Sequence, residues 1–151
     1  MLMTVARRYS SNRHVAEDVL QEALIRIFKA IPQYQPYGSF EAWMRRIVVT
    51  TALQSLDKSW HRNENGIPEQ AEEPYMMPEV YAQLGAEELL ALIAKLPEGF
   101  RQIFNLYVIE QYPHTEIAIM LGITESTSRS QLTRAKRLLQ NMIAQREKIN
   151  V

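Results

Sequence analysis

Along most of this chain apolar residues recur every three to four positions, and that rhythm fails once, over HRNENGIPEQAEEPYMMP at residues 61–78. Three prolines, a glycine and a surplus of glutamate make this stretch too polar to pack a core, so its composition marks a linker. No segment shows the strict apolar–polar alternation of a half-buried strand. The chain therefore reads as all-α. Two small helical domains, residues 1–60 and 80–151, are joined by a flexible acidic tether at residues 61–79. No internal repeat is visible.

A length of 151 residues suits one domain or two small ones, and an apolar fraction of 46% argues against disorder throughout. No apolar run approaches the roughly 20 residues needed to span a bilayer. Arg7 and Arg8 follow only a short apolar start, which is not the pattern of a signal peptide. Without cysteine there is no disulfide and no Cys-ligated zinc, and the expected compartment is the cytoplasm. The formal net charge of zero hides a strong asymmetry. Residues 1–60 hold 8 Lys/Arg against 5 Asp/Glu, residues 61–100 hold 2 against 8, and residues 101–151 hold 7 against 4. Two basic ends flanking an acidic middle point toward nucleic acid.

In the first domain one helix is expected from about Arg13 to Ile31, ended by Pro32. Its apolar stripe is Val15, Val19, Leu20, Ala23, Leu24, Ile27 and Phe28. The loop QYQPYGSF follows, broken by Pro36 and Gly38. A second helix starts near Phe40 and places Trp43, Met44, Ile47, Val48, Ala52 and Leu56 at helical spacing. In the second domain periodicity resumes near Val80 and stops at Pro97. Helices then cover about residues 98–109, 114–121, and 125 to the C-terminal region.

The last two of these helices are separated by only Gly122, Ile123 and Thr124. Pro113 suits a first helical turn. Ile117, Ala118 and Leu121 form the inner side of the first helix. Gly122 takes a positive φ without steric cost, Ile123 plugs the corner, and Thr124 caps the next helix. This is the layout of a helix-turn-helix. On the second helix Ser128, Leu132, Ala135 and Leu139, spaced 4, 3 and 4 apart, define the buried side. Ser126, Ser130, Thr133, Arg134 and Arg137 then point outward, with Arg129 and Gln131 flanking. Hydroxyls and guanidinium groups bond phosphate oxygens and base edges, and a bidentate Arg–guanine pair discriminates by roughly 1–3 kcal/mol. Carboxylates on this face would be repelled by the DNA backbone. The one acid, Glu125, sits at the positive helix start and is placed to accept from cytosine N4. The alternative is a solvated amphipathic helix in a bundle.

The stretch LPEGFRQIFNLYVIEQYPHTEIAIMLGITESTSRSQLTRAKRLL, residues 96–139, resembles the promoter-reading C-terminal domain of sigma factors of the extracytoplasmic-function (ECF) group. In the first half, AEDVLQEALIRIFKAI resembles the polymerase-binding helix of that group. FEAWMRRIVVTTALQSL resembles the following helix, which reads and helps melt the −10 element. Two motif blocks in the expected order, around a variable linker, are far more specific than either alone.

The resemblance implies a protein of bacterial transcription initiation with no enzymatic activity of its own. It would bind core RNA polymerase and promoter DNA, and an anti-sigma factor often holds such proteins inactive. The recognition helix, with Thr124, Glu125, Ser126, Arg129, Ser130, Gln131, Thr133, Arg134 and Arg137, would enter the major groove of the −35 element. Asp18, Gln21 and Glu22 lie on one helix face. They match the signature of the polymerase-binding helix; taken alone they also fit a surface face with a Glu22–Arg26 pair. Arg46, Thr50, Gln54 and Asp57 share a face of the next helix, where Arg46 suits phosphate and Thr50 and Gln54 suit bases. In the loop before it Tyr34 and Tyr37 stand near Gly38, where the family forms a pocket for a flipped-out −10 base. Phe40 and Trp43 are expected in the core. The acidic linker would thread the polymerase channel that later carries RNA, or serve as a plain solubilising tether.

Departures from the family pattern are local. Members carry a further N-terminal helix ahead of the segment resembling MLMTVARRYSSN, and this chain starts inside that segment. Thr50 replaces a common Asn, Asp57 a usual basic residue, Ser128 a more usual aliphatic one, and Pro113 a usual capping Ser or Thr.

Two other functions fit the sequence less well. A helix-turn-helix regulator that never touches polymerase core would not need the Asp18–Gln21–Glu22 face or the aromatic loop. An enzyme finds no support: His14, His61 and His114 look isolated, and there is no HExxH, Walker loop or GxSxG. No cofactor, no metal and no membrane insertion are expected.

Overall fold

The computed structural model describes residues 1–56 and 85–149. The chain divides into two compact units, Met1–Asp57 and Lys58–Val151. The expected linker, Asp57 and the start of periodicity near Val80 lie outside the described residues. Every regular element among the described residues is helical, so the all-α expectation is borne out.

The first unit packs three helices: α1 (Leu2–Tyr9), α2 (Arg13–Ala30) and α3 (Phe40–Ser55). Asn12 starts α2 by accepting from the Val15 amide at 2.9 Å, and Ser39 starts α3 by accepting from Ala42 at 3.3 Å. Each of the three helices packs against the other two. The core is Val5, Ala6 and Tyr9 from α1, Ala16, Val19, Ala23 and Ile27 from α2, and Val48, Val49, Ala52 and Leu53 from α3. Four alanines at these contacts let the helix backbones approach closely. Pro32 falls in a short 3-10 turn, Ile31–Gln33, that ends α2 close to where the sequence places its end.

Three features differ from the sequence expectation. Helix α1 was not anticipated, since eight residues carry little periodic signal. And the buried stripe of α2 is narrower than the apolar pattern implies. It runs Ala16–Val19–Ala23–Ile27, so Leu24 is 36% and Phe28 72% exposed rather than in the core. Phe40, at 41% exposed, and Trp43, half-buried, also stand outside the core.

The second unit contains α4 (Ala86–Ala94), α5 (Glu98–Phe104) with a π-helical extension (Asn105–Ile109), α6 (His114–Leu121) and the long α7 (Glu125–Ile149). Pro97 interrupts the chain between α4 and α5 and occupies the N-cap position of α5. Leu92, Ile93, Leu96, Ile103, Phe104, Leu106, Ile117, Leu121, Leu132, Ala135, Leu139 and Ile143 form one core around the inner face of α7. Near the far end of α7 an Arg146–Glu88 ion pair at 2.8 Å ties it to α4. The chain turns from the π segment into α6 through Gln111, whose φ of 61° is uncommon for a residue with a side chain.

Candidate nucleic-acid interface

The corner between α6 and α7 is built as the sequence predicts. Gly122 ends α6 in the left-handed region, with φ 69° and ψ 36°. Its amide bonds the Ala118 carbonyl, and the Ile123 amide bonds the same oxygen at 3.0 Å. Thr124 Oγ1 accepts from the Thr127 amide at 3.1 Å and so caps α7. Pro113 sits one place earlier than expected, at the N-cap position of α6 rather than in its first turn.

On α7 the buried side is Ser128, Leu132, Ala135 and Leu139, as expected from their spacing. Ser126, Arg129, Ser130, Thr133 and Arg137 are exposed, and Glu125 and Arg134 are half-buried. Gln131 is a correction. It is only 8% exposed and belongs to the inner side, because it directly precedes the buried Leu132 and lies one turn from Ser128. The outward polar groups are pre-paired. Arg129 Nη2 bonds Glu125 at 2.7 Å, Ser130 Oγ donates to the Thr127 carbonyl at 3.0 Å, and Thr133 Oγ1 donates to the Arg129 carbonyl at 3.1 Å. These hydroxyls keep acceptor lone pairs outward but must rotate to donate to phosphate or a base.

His114, isolated in the sequence, has close neighbours in the fold. Its Nδ1 lies 2.8 Å from Ser128 Oγ, and its ring stacks on Tyr107 with centroids 4.4 Å apart. Burial, with Arg129 nearby, holds the imidazole below the ordinary histidine range; Glu125 opposes this and Lys136 adds to it.

In the first unit Asp18, Gln21 and Glu22 are all exposed on one face of α2. Ile25 and Phe28 continue that face as exposed apolar residues; of the two, sequence periodicity places only Phe28 in the apolar stripe. His14 Nε2 approaches Asp18 at 3.8 Å, and Arg26 bonds Glu22. Arg26 also donates to Gln54 Oε1, so a residue of the α2 face and one of the α3 face share a partner. On α3 Arg46 and Gln54 are exposed, while Thr50 is half-buried and donates to the Arg46 carbonyl at 2.7 Å. Ahead of α3, Tyr34, Phe40 and Trp43 form one aromatic cluster with centroids 5.0 to 5.4 Å apart. Tyr37 stands apart from it at 89% exposed. Gly38, at φ 98°, turns the loop between Tyr37 and α3.

A helical unit ending in a helix-turn-helix, with a hydroxyl- and arginine-bearing recognition helix, defines a DNA-binding protein class. Residues 1–62 match the family described as sigma-70 region 2, and residues 86–139 match sigma-70, region 4. The chain is 36% identical over 148 residues to the ECF RNA polymerase sigma factor SigE of Mycolicibacterium smegmatis, covering 93% of this chain and 56% of that protein. It is 30% identical over 138 residues to the protein named probable RNA polymerase sigma factor RfaY, of Xanthomonas campestris pv. campestris, covering 87% and 34% respectively. Its fold is similar to that of the sigma factor RpoE in a complex with the anti-sigma factor NepR from Bartonella quintana. That likeness has a TM-score of 0.60 at 20% identity, covering 95% of this chain and 89% of that one. The chain belongs to the sigma-70 family, in its ECF group. It spans about half of SigE and about a third of RfaY. Among the described residues no helix is long and apolar enough to cross a membrane, and no cluster of His, Asp or Glu is arranged to hold a metal.

Proposed function

We propose that this chain binds core RNA polymerase and gives it promoter specificity, without chemistry of its own. The observation that carries this reading is the pairing, in one chain and in the family order, of two different surfaces. One is an acidic, amide-bearing face on α2; the other is a helix-turn-helix with a basic recognition helix. A regulator that acts only through DNA needs the second surface but not the first.

The α2 face is the polymerase contact. Asp18, Gln21 and Glu22 supply acceptors for a partner rich in arginine, and Ile25 and Phe28 extend it with apolar area. The cluster of Tyr34, Phe40 and Trp43, and the exposed Tyr37 of the same loop, offer aromatic faces on which unpaired −10 bases stack. Arg46 holds backbone phosphate, and Thr50 and Gln54 touch bases. In the second unit Thr124, Ser126, Ser130, Thr133, Arg134 and Arg137 face the −35 major groove, with Arg129 and Glu125 reading or positioning at its edge. Gln131 drops out of this set. An anti-sigma protein is a partner of the same kind as NepR is for RpoE. The cell cytoplasm, where polymerase and DNA are, is the proposed compartment.

A pull-down with purified core polymerase tests the first surface. Retention of the wild type, with loss in a D18A/Q21A double variant, supports the assignment. Unchanged retention of that variant removes these residues from the interface, and no retention of the wild type favours the regulator reading.

A further inference from the structure

The α6–α7 corner contains a polar contact that the helix-turn-helix layout does not require. Ser128 lies on the buried side of the recognition helix and is 0% exposed. A serine there gives up the apolar contact of an aliphatic side chain and must satisfy a hydroxyl away from water. Its partner is His114, the first residue of α6, at 2.8 Å through Nδ1. The imidazole is fixed on its other side by Tyr107 of the π segment, stacked with rings 20° from parallel. Lys136, two turns beyond Ser128 on α7, has its ammonium 5.9 Å from the centroid of the same Tyr107 ring. The recognition helix is thus gripped at two points by one aromatic–imidazole pair.

Such a grip sets a pose. A recognition helix contacts bases through a few side chains, and small rotations change which atoms meet them. Ser128 also lies one turn beyond Thr124 and one turn before Leu132, at the DNA-reading end of α7. We propose that the His114–Ser128 contact is a clasp that fixes the recognition helix for base readout, and that protonation of His114 opens it, lowering sequence discrimination in mild acid. This rests on the DNA-binding reading above. His114 and Ser128 are positioning residues, acting through the side chains on the opposite face of α7.

The charge environment agrees with that direction. The groups facing His114 are Arg129, Lys136 and Glu125 from α7, with Tyr107 supplying an aromatic face. Burial of the ring, then the Arg129 guanidinium, oppose a proton on it; Glu125 favours one and Lys136 opposes it. When a proton is forced on, Nδ1 can only donate; the Ser128 oxygen can accept, but its own O–H must then find another acceptor in a buried site, and the charged ring is pushed from its place by burial and by Arg129 and Lys136. Extra positive charge near DNA tightens binding to every sequence alike. The informative quantity is therefore the ratio of specific to nonspecific affinity.

The test uses the full chain and a duplex carrying a −35 element from a start site mapped with this chain's own holoenzyme. The competitor is the same duplex with that block scrambled. His114→Phe keeps the stack but strands the Ser128 hydroxyl, and should lower discrimination roughly five- to tenfold. Removing both polar partners in H114F/S128A should restore it to within about twofold, because an apolar pair leaves nothing unsatisfied. Discrimination by the wild type should hold at about pH 7.5 and fall only as pH drops below the ordinary histidine value of about 6.5, because the fold disfavours the charged ring. His114→Asn places an amide near the Nδ1 position and does not titrate, so its discrimination should stay high and flat with pH. Thermal unfolding of the same variants needs no DNA, and should give the same non-additive cycle. Additive losses in either cycle, a wild-type ratio flat with pH, or His114→Phe equal to wild type would overturn the clasp. If the wild type directs no selective transcription while the unfolding cycle stays coupled, the functional reading fails and the clasp survives as a structural contact.

Discussion

At the scale of single residues, what a side chain already touches decides what it has left to offer. Arg134 is half-buried on the outward side of α7. Arg134→Ala should weaken promoter binding and flatten its salt dependence by about one unit of slope for one lost phosphate contact. Binding titrations over a salt series check this, and wild-type affinity and slope would move the face elsewhere. Phe28 is the contrasting case. A core phenylalanine cut to alanine costs about 3–5 kcal/mol. Phe28 is largely exposed, so Phe28→Ala should change thermal stability by no more than about 0.5 kcal/mol while reducing core-polymerase affinity by over about 1 kcal/mol. A large stability loss with intact affinity would return it to the core. His114 carries the pH signature of the second unit. The fold disfavours its charged form, so its contribution to stability is present above the ordinary range near about 6.5. That contribution is lost as pH falls through the lower folded value. Acid unfolding of the wild type against His114→Asn should show the difference below that range and none above it.

At the scale of elements, the turn is the most legible part of the molecule and the α2 surface the least. Gly122 and Thr124 announce the corner because each has a duty that few other residues perform, one a positive φ and the other a side-chain cap. A Cβ at Gly122 would meet nothing within 4 Å, so the penalty of Gly122→Ala comes from φ alone, about 1–2 kcal/mol. Thr124→Ala should cost about 1 kcal/mol through loss of the cap. Denaturant unfolding of the two variants measures both, and a neutral Gly122→Ala would mean that the turn relaxes. The inner stripe of α7 was equally readable, since spacing alone selects Ser128, Leu132, Ala135 and Leu139. Periodicity failed on α2 for a physical reason. An apolar residue on a helix faces either the protein's own core or a partner, and Leu24 and Phe28 look the same in both roles. It failed on Gln131 because a polar residue at the margin of a buried stripe is satisfied inside or outside equally well. Helix α1 was too short to carry a pattern, although Val5, Ala6 and Tyr9 are all buried. The His114–Ser128 pair was invisible because 14 residues and a turn separate two groups that only the fold brings together.

At the scale of the whole molecule, the division of labour follows from the charge distribution and from the two sets of motifs. Each unit builds its own core, and each presents a surface of different chemistry: acids, amide and apolar area on α2, hydroxyls and guanidinium groups on α7. The central claim is that these two surfaces serve one event, the delivery of polymerase to a chosen start. The most direct measurement is in vitro transcription from a genomic fragment library by core polymerase, with and without this chain, with RNA 5′ ends sequenced. The account predicts new, discrete start sites sharing a −35 and a −10 block, lost together when the α2 face is changed in D18A/Q21A and when Arg134 is replaced. Start sites identical in number and position with and without the wild-type chain would contradict it.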